Sequence, residues 1–366
     1  MRTGTGGWMG AGWWMGTAAC AAAMVPSAAH AHVKWFSEFS FADRPLTVAQ
    51  AATPLFFGLA VLSMAVIGGM VLLDRRLENA AWYRGVNTWL TDRRGDALLV
   101  MRIGIFATLL LAWQADALLA PELRAGSGWI GWLQFLFALL LLFPRTVPIA
   151  GGGLILLYGL GAARFGAFHL LDYLFFAGAG WYLLVSRARS ERVRGTGIPA
   201  LYATVGFSLC WVALEKIVYP QWALYVLDQH PQLALGLDLR FFLLGAAFVE
   251  LSLGYLLIIN LLQRPLALVI TLVFFTTTLV FGKLEVIGHT PIHAALIVFL
   301  LEGPGTVYRP PIALHRRLGL RTAFAAVNFA LLVAILLPLY AAAARAQARD
   351  AAGTATSASP QSIGSE

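Results

Sequence analysis

Apolar residues fall along this chain in long runs, separated by short stretches of Arg, Gly, Pro and Asp. A run near ~20 residues is what a helix needs to cross a bilayer. Ten such runs follow residue 31, near 53–73, 97–119, 129–143, 147–163, 165–185, 200–218, 240–260, 265–282, 291–307 and 322–342. The pattern predicts an all-α, polytopic helical membrane protein with about ten transmembrane helices. Before them, residues 1–31 read as a secretory signal peptide: Arg2, an apolar stretch from Trp8 to Val25, Pro26, and the small-x-small string Ala29-His30-Ala31. Residues 32–96 then hold an exterior segment, the first span and a cytoplasmic loop; 309–342 hold a loop and the last span. The small, polar stretch 343–366 is expected to be a disordered tail.

Composition sharpens this reading. Charged residues make up 12% of the 366 positions, half the roughly 25% of a soluble domain, so lipid is the main solvent. The net charge of +8 does not point to nucleic acid, because the basic residues sit in short loops between spans. With the N-terminus outside, cytoplasmic gaps hold fifteen of them (Arg75, Arg76, Arg84, Arg93, Arg94, Arg145, Arg187, Arg189, Arg192, Arg194, Arg264, Arg309, Arg316, Arg317, Arg321) and exterior segments eight (Lys34, Arg44, Arg124, Arg164, Arg240, Lys283, Arg345, Arg349). That bias predicts a multi-pass protein of a bacterial inner (cytoplasmic) membrane. Cys20 and Cys210 are the only cysteines, and the first lies in the expected signal peptide, so the mature chain has no intramolecular disulfide.

The candidate chemistry centres on Phe281 to Gly303, where a polar corner carries Lys283, Glu285, His289 and His293. Thr290 reads as an N-cap and Pro291 as the first helical residue, which puts His293 in a first turn, where the helix dipole disfavours a charged imidazole. Ionisable groups inside spans cost roughly 2.5–3.5 kcal/mol each on insertion scales and face protein or water. Here they are Arg102, Asp116, His169, Asp172, Glu215, Lys216 and Glu250. Glu250 needs a cation, and Lys216 is the expected partner. Most of these groups fall toward one side of the membrane, which favours a site over scattered structural pairs.

The chain also carries a faint internal repeat of four spans, 97–199 against 200–308. By eye it places His169 opposite His293, and four spans per unit make it a parallel repeat.

Glu215-Lys216 followed by Tyr219-Pro220, then Glu250, Gly254 and Arg264, resembles the pattern of the DoxX superfamily of small membrane proteins. The likeness covers about 200–305 and extends weakly to 97–185, where Gln134 stands in place of Glu250. It implies four-helix membrane bundles, hence two DoxX-like units with flanking helices, and a membrane redox context. Some members are subunits of quinone-linked oxidoreductases and others assist maturation of periplasmic redox enzymes. No shared catalytic set comes with it.

Three functions follow as expectations. The first is a quinone-linked redox subunit or accessory factor with a protein partner that supplies or accepts electrons, its quinone- or substrate-binding residues drawn from Glu215, Lys216, Tyr219, Glu250, Lys283, Glu285 and His293. The second is copper handling at the exterior face. Cleavage after Ala31 makes His32 a bidentate amine–imidazole chelate, which His169, His289 and His293 could join. The third is proton-coupled transport, for which intramembrane carboxylates are suited.

Overall fold

The computed structural model describes residues 33–303 except 38 and 41, residue 312, and residues 315–357. The expected signal peptide and His32 lie outside the described residues. Among those residues there is no strand, only an isolated bridge between Ala117 and Arg124. The helices are α1 (Val33–Phe36), α2 (Val48–Ala51), α3 (Pro54–Asn79), α4 (Ala81–Thr91), α5 (Ala97–Gln114), α6 (Gly128–Leu140), α7 (Val147–Phe165), α8 (Ala167–Leu170), α9 (Phe175–Val185), α10 (Glu191–Arg194), α11 (Gly197–Val218), α12 (Pro220–Gln229), α13 (Leu239–Ile258), α14 (Gln263–Phe281), α15 (Lys283–Glu302) and α16 (Leu318–Ser357).

Each of the ten apolar runs is helical over most of its described residues. Among the described residues eight helices are long and apolar enough to cross a membrane, and the pair α8–α9, bent by 64°, brings the number to nine if it is one span. The helix α6 is apolar but has only 13 residues, about 20 Å of rise. The chain is an all-α membrane protein, and side chains such as Val61 and Leu272 (65% and 67% exposed) face lipid.

Local signals set the helix ends. Thr53 caps α3 by accepting from the Phe56 amide, with Pro54 at the first position, and Asp238 caps α13 through the Phe241 amide. At Gly166 (φ +91°) and Gly282 (φ +69°) the chain leaves α7 and α14 in the left-handed region that glycine tolerates.

Gly282 corrects the reading of the polar corner. The helix after it begins at Lys283, so Pro291 is internal and Thr290 is not a cap. The Thr290 hydroxyl donates to the Val286 carbonyl one turn back. Registered on these two glycines, His169 and Glu285 each lie three residues past the corner. His169 therefore matches Glu285 and not His293, as the alignment by eye had placed it. The stretch after 342 also differs from expectation, since α16 continues as helix to Ser357.

The packing of the two four-helix runs is reciprocal. The last helix of the first, α9, lies against α11, and the last of the second, α15, lies against α5. Within the runs, α11 and α13 meet where a Cβ on Gly206 would stand 2.6 Å from the Gly254 carbonyl oxygen, and α7 meets α9 at Gly151 and Gly180 in the same way. The helix α3 covers α13 and α16.

Two ends of the bundle result. At one, Arg264 is buried and donates to the carbonyls of Leu300 and Leu301 and to Asn87 and Thr91 of α4, while Arg94 pairs with Glu302. The other end gathers α1, α12, the 115–127 loop and the two glycine corners.

Candidate functional site

The four residues Val33–Phe36 insert into this second end, against helices from both runs. Lys34 and Trp35 are each 2% exposed. The Lys34 ammonium stands 2.5 Å from Asp172 Oδ2 and 2.5 Å from Glu215 Oε2. Asp172 lies in the 3-10 turn Leu171–Tyr173 that breaks α8 from α9, and Glu215 lies in the last turn of α11. Buried ions in this number persist only when paired. Burial alone lowers a lysine's pKa, but the two carboxylates outweigh it and raise that of Lys34 above its ordinary value.

Lys34 also donates to His169 Nδ1 at 3.3 Å. An ammonium can only donate, so Nδ1 is the acceptor and the ring proton sits on Nε2, which faces Glu122 Oε1 at 3.6 Å. The Trp35 indole donates to the Tyr173 hydroxyl at 2.8 Å, and that hydroxyl donates to Glu122. Burial pushes Glu122, in the 115–127 loop, up to about 7, although the Tyr173 bond pulls the other way.

Beneath this cluster lies a cavity of about 210 Å³, bounded by α11, α12, α13, α14 and α15 and roofed by Trp35 and Phe36. A dry apolar cavity of ~150 Å³ already accepts benzene, so the volume suits a single ring with substituents. The walls are apolar apart from a few groups at separate points: Lys216 and Glu250, Asp172, and Glu285 with His289. Lys216 and Glu250 pair at 2.8 Å, as their burial in apolar sequence required, and their side chains keep 13% and 27% exposure. On α15 Glu285 pairs with His289 one helical turn on. The His289 ring stacks on Phe274 (centroids 4.4 Å apart, 11° between planes) and tilts against Trp35. Gly288 admits Trp35 to the roof, because a Cβ there would lie 1.7 Å from the indole.

Glu215 and Lys216 are neighbours in sequence but turn to different neighbourhoods, one to Lys34 and the other to the cavity. Tyr219 stacks flat on Trp222 and donates to the Ala344 carbonyl, outside the cavity lining. Lys283 is exposed at the first residue of α15. His293 packs against Phe274 and Phe275 and does not line the cavity. Its removal from a first turn leaves the helix-dipole reading without a basis. Among the described residues no group of three or more His, Cys, Asp or Glu is arranged to hold a metal ion.

The sequence reading took Lys34 for one more exterior basic residue and passed over Glu122, Trp35 and Tyr173. Charge counting held the missing signal. Within the spans, Asp116, Asp172, Glu215 and Glu250 outnumber Arg102 and Lys216, so a cation had to arrive from outside them. In the first run Gln134 replaces the acid of the second, and its amide is satisfied by the backbone of Leu109, Ala117 and Leu119. No protein-family profile, curated protein or solved structure matches the chain.

Proposed function

We propose that this is a quinone-binding component of a membrane redox system, with the cavity under Trp35 as the site of the head group. The observation that supports the reading is the cavity itself: an apolar, ring-sized space lined by an ammonium from α11 (Lys216) and an imidazole from α15 (His289). A quinone head is a flat ring with an acceptor oxygen at each end, and it supplies two-electron, two-proton chemistry when bound. Lys216 would donate to one oxygen, and His289 would donate from Nε2–H to the other while the proton it shares with Glu285 at Nδ1 lies on the carboxyl. Glu250 and Glu285, each already paired with one of those donors, would hold and return protons at their carboxylates. His289 takes the place that the sequence reading gave to His293.

The donors and the apolar walls suit such a ring. The DoxX resemblance points to the same redox context, and no electron-carrying cofactor motif is evident in the sequence, so a protein partner would supply or remove electrons. The arginine-rich end, by the excess of basic residues there, would face the cytoplasm of a bacterial inner membrane, leaving Lys34 and the roof outside.

The test is extraction. Protein purified from native-like membranes should carry quinone in near-stoichiometric amount, lost on Lys216→Met substitution. Purified wild-type protein without quinone, and without saturable uptake of added short-chain quinone, overturns the reading.

A further inference from the structure

The same cavity borders the exposed half of α14, and that position bears on the ligand. The helices α13 and α14 are joined by the tight 259–262 turn, where Leu262 has φ +52°. Near that turn α14 is packed: Leu266, Ala267 and Ile270 are 5%, 0% and 1% exposed. Beyond Ile270 no described residue of α14 is buried, and Leu272, Val273, Phe275 and Leu279 are 67%, 43%, 56% and 86% exposed. This second half leans the other way. Phe274 stacks on His289 of α15, and Phe281 stacks on Phe36 of the roof (centroids 3.8 Å apart).

The cavity fills the gap that results. Ala246 and Glu250 of α13 line it on one side and Val273 of α14 on the other. Counted from the turn at 1.5 Å per residue, Glu250 and Val273 stand at comparable height, roughly 12 and 15 Å away. Glu250 retains 27% side-chain exposure midway along a spanning helix. A carboxylate there is costly against lipid, so the exposure is to the cavity, and the exposed edge at Val273 is where cavity and bilayer meet.

We infer that the cavity is loaded sideways from the bilayer, between α13 and α14, and that its ligand is a membrane-dissolved quinone whose long apolar tail lies in that gap while the head sits between Lys216 and His289. The inference rests on the quinone reading and adds to it the tail and the route. A water-soluble ligand would have to displace the roof, which Lys34 ties down with two ion pairs.

The experiment uses full-length protein in lipid nanodiscs and a benzoquinone whose ten-carbon tail carries a photoreactive diazirine. Labelled peptides are mapped by mass spectrometry, with unlabelled decylquinone as competitor. Competable labelling of 242–250 and 269–276 supports the inference, and Ala246→Trp should lower it about tenfold by overfilling the gap. Competable labelling of the roof at Phe36 or of Val226 in α12 overturns the lateral route and leaves head-group binding standing. Saturable binding of a tail-less quinone without competable tail labelling does the same. Absence of both overturns the quinone reading itself, and the inference with it.

Discussion

Replacing Lys34 by Met is the most demanding perturbation of this structure. The ammonium is buried with Asp172 and Glu215, each at 2.5 Å and each nearly inaccessible. With all three ionised the group carries a net charge of −1, and without Lys34 it carries −2. Removing one partner of a buried pair costs about 3–5 kcal/mol, because the other charge is left uncompensated. Here one cation serves two carboxylates, so the loss should reach the upper part of that range, about 5 kcal/mol. That is a large share of the roughly 5–15 kcal/mol that holds a domain folded.

The pH dependence has a definite sign. Lys34 has a raised pKa in the folded protein, so its contribution is complete below the ordinary lysine value of 10.5 and is lost only as pH climbs past it. In Lys34→Met the deficit is greatest where both carboxylates are charged and shrinks as acid neutralises them. Thermal and denaturant unfolding in detergent at pH 5 and pH 8 measures this. Adding Glu215→Gln to Lys34→Met should restore more than half of the loss at pH 8. A Lys34→Met protein within ~1 kcal/mol of wild type at pH 8, the range of an exposed pair, would refute the burial-and-pairing reasoning. So would a double variant no better than the single one.

Other expectations follow from the same coordinates. Burial pushes Glu122 up to about 7 from 4.5, so the folded state disfavours its charge and the contribution of this one carboxyl should fall by ~3 kcal/mol as pH rises from 4.5 to 7; comparing wild type with Glu122→Gln in pH-resolved melting curves isolates it. Gly288→Ala drives a methyl into Trp35 and should cost about 1–3 kcal/mol, with a red shift in tryptophan emission as the roof loosens. Glu250→Gln leaves Lys216 an acceptor but removes its paired charge and should cost about 1.5–3 kcal/mol, while weakening quinone binding in a fluorescence titration. If it instead unfolds the protein, the pair is structural.

Much of the architecture is legible in the sequence because lipid imposes a simple rule: every buried backbone group must be satisfied within its own helix. Apolar runs therefore become helices wherever they occur, even α6 with its 13 residues. The Lys216–Glu250 pair is legible for a related reason, since each group is expensive alone. Pro291 misled because Thr-Pro is an ordinary start signal in water-soluble helices, whereas the break falls at Gly282, whose left-handed backbone leaves no trace in a hydropathy pattern. Lys34 was invisible for a different cause. Its partners lie 138 and 181 positions away (172 − 34 and 215 − 34), and no local periodicity encodes a contact over that distance. The roof was hidden with it, since Trp35 and Phe36 look in sequence like two aromatic residues of an exterior segment.

The measurement that bears most directly on the site is the affinity of a short-chain quinone for wild-type and Lys216→Met protein in nanodiscs. A charged hydrogen bond contributes about 1.5–3 kcal/mol, so the variant, with its folded state checked by a melting curve because Glu250 loses its partner, should bind at least roughly tenfold more weakly. Equal affinity in the two proteins would mean that Lys216 faces no ligand and that the space beneath Trp35 is only a packing void.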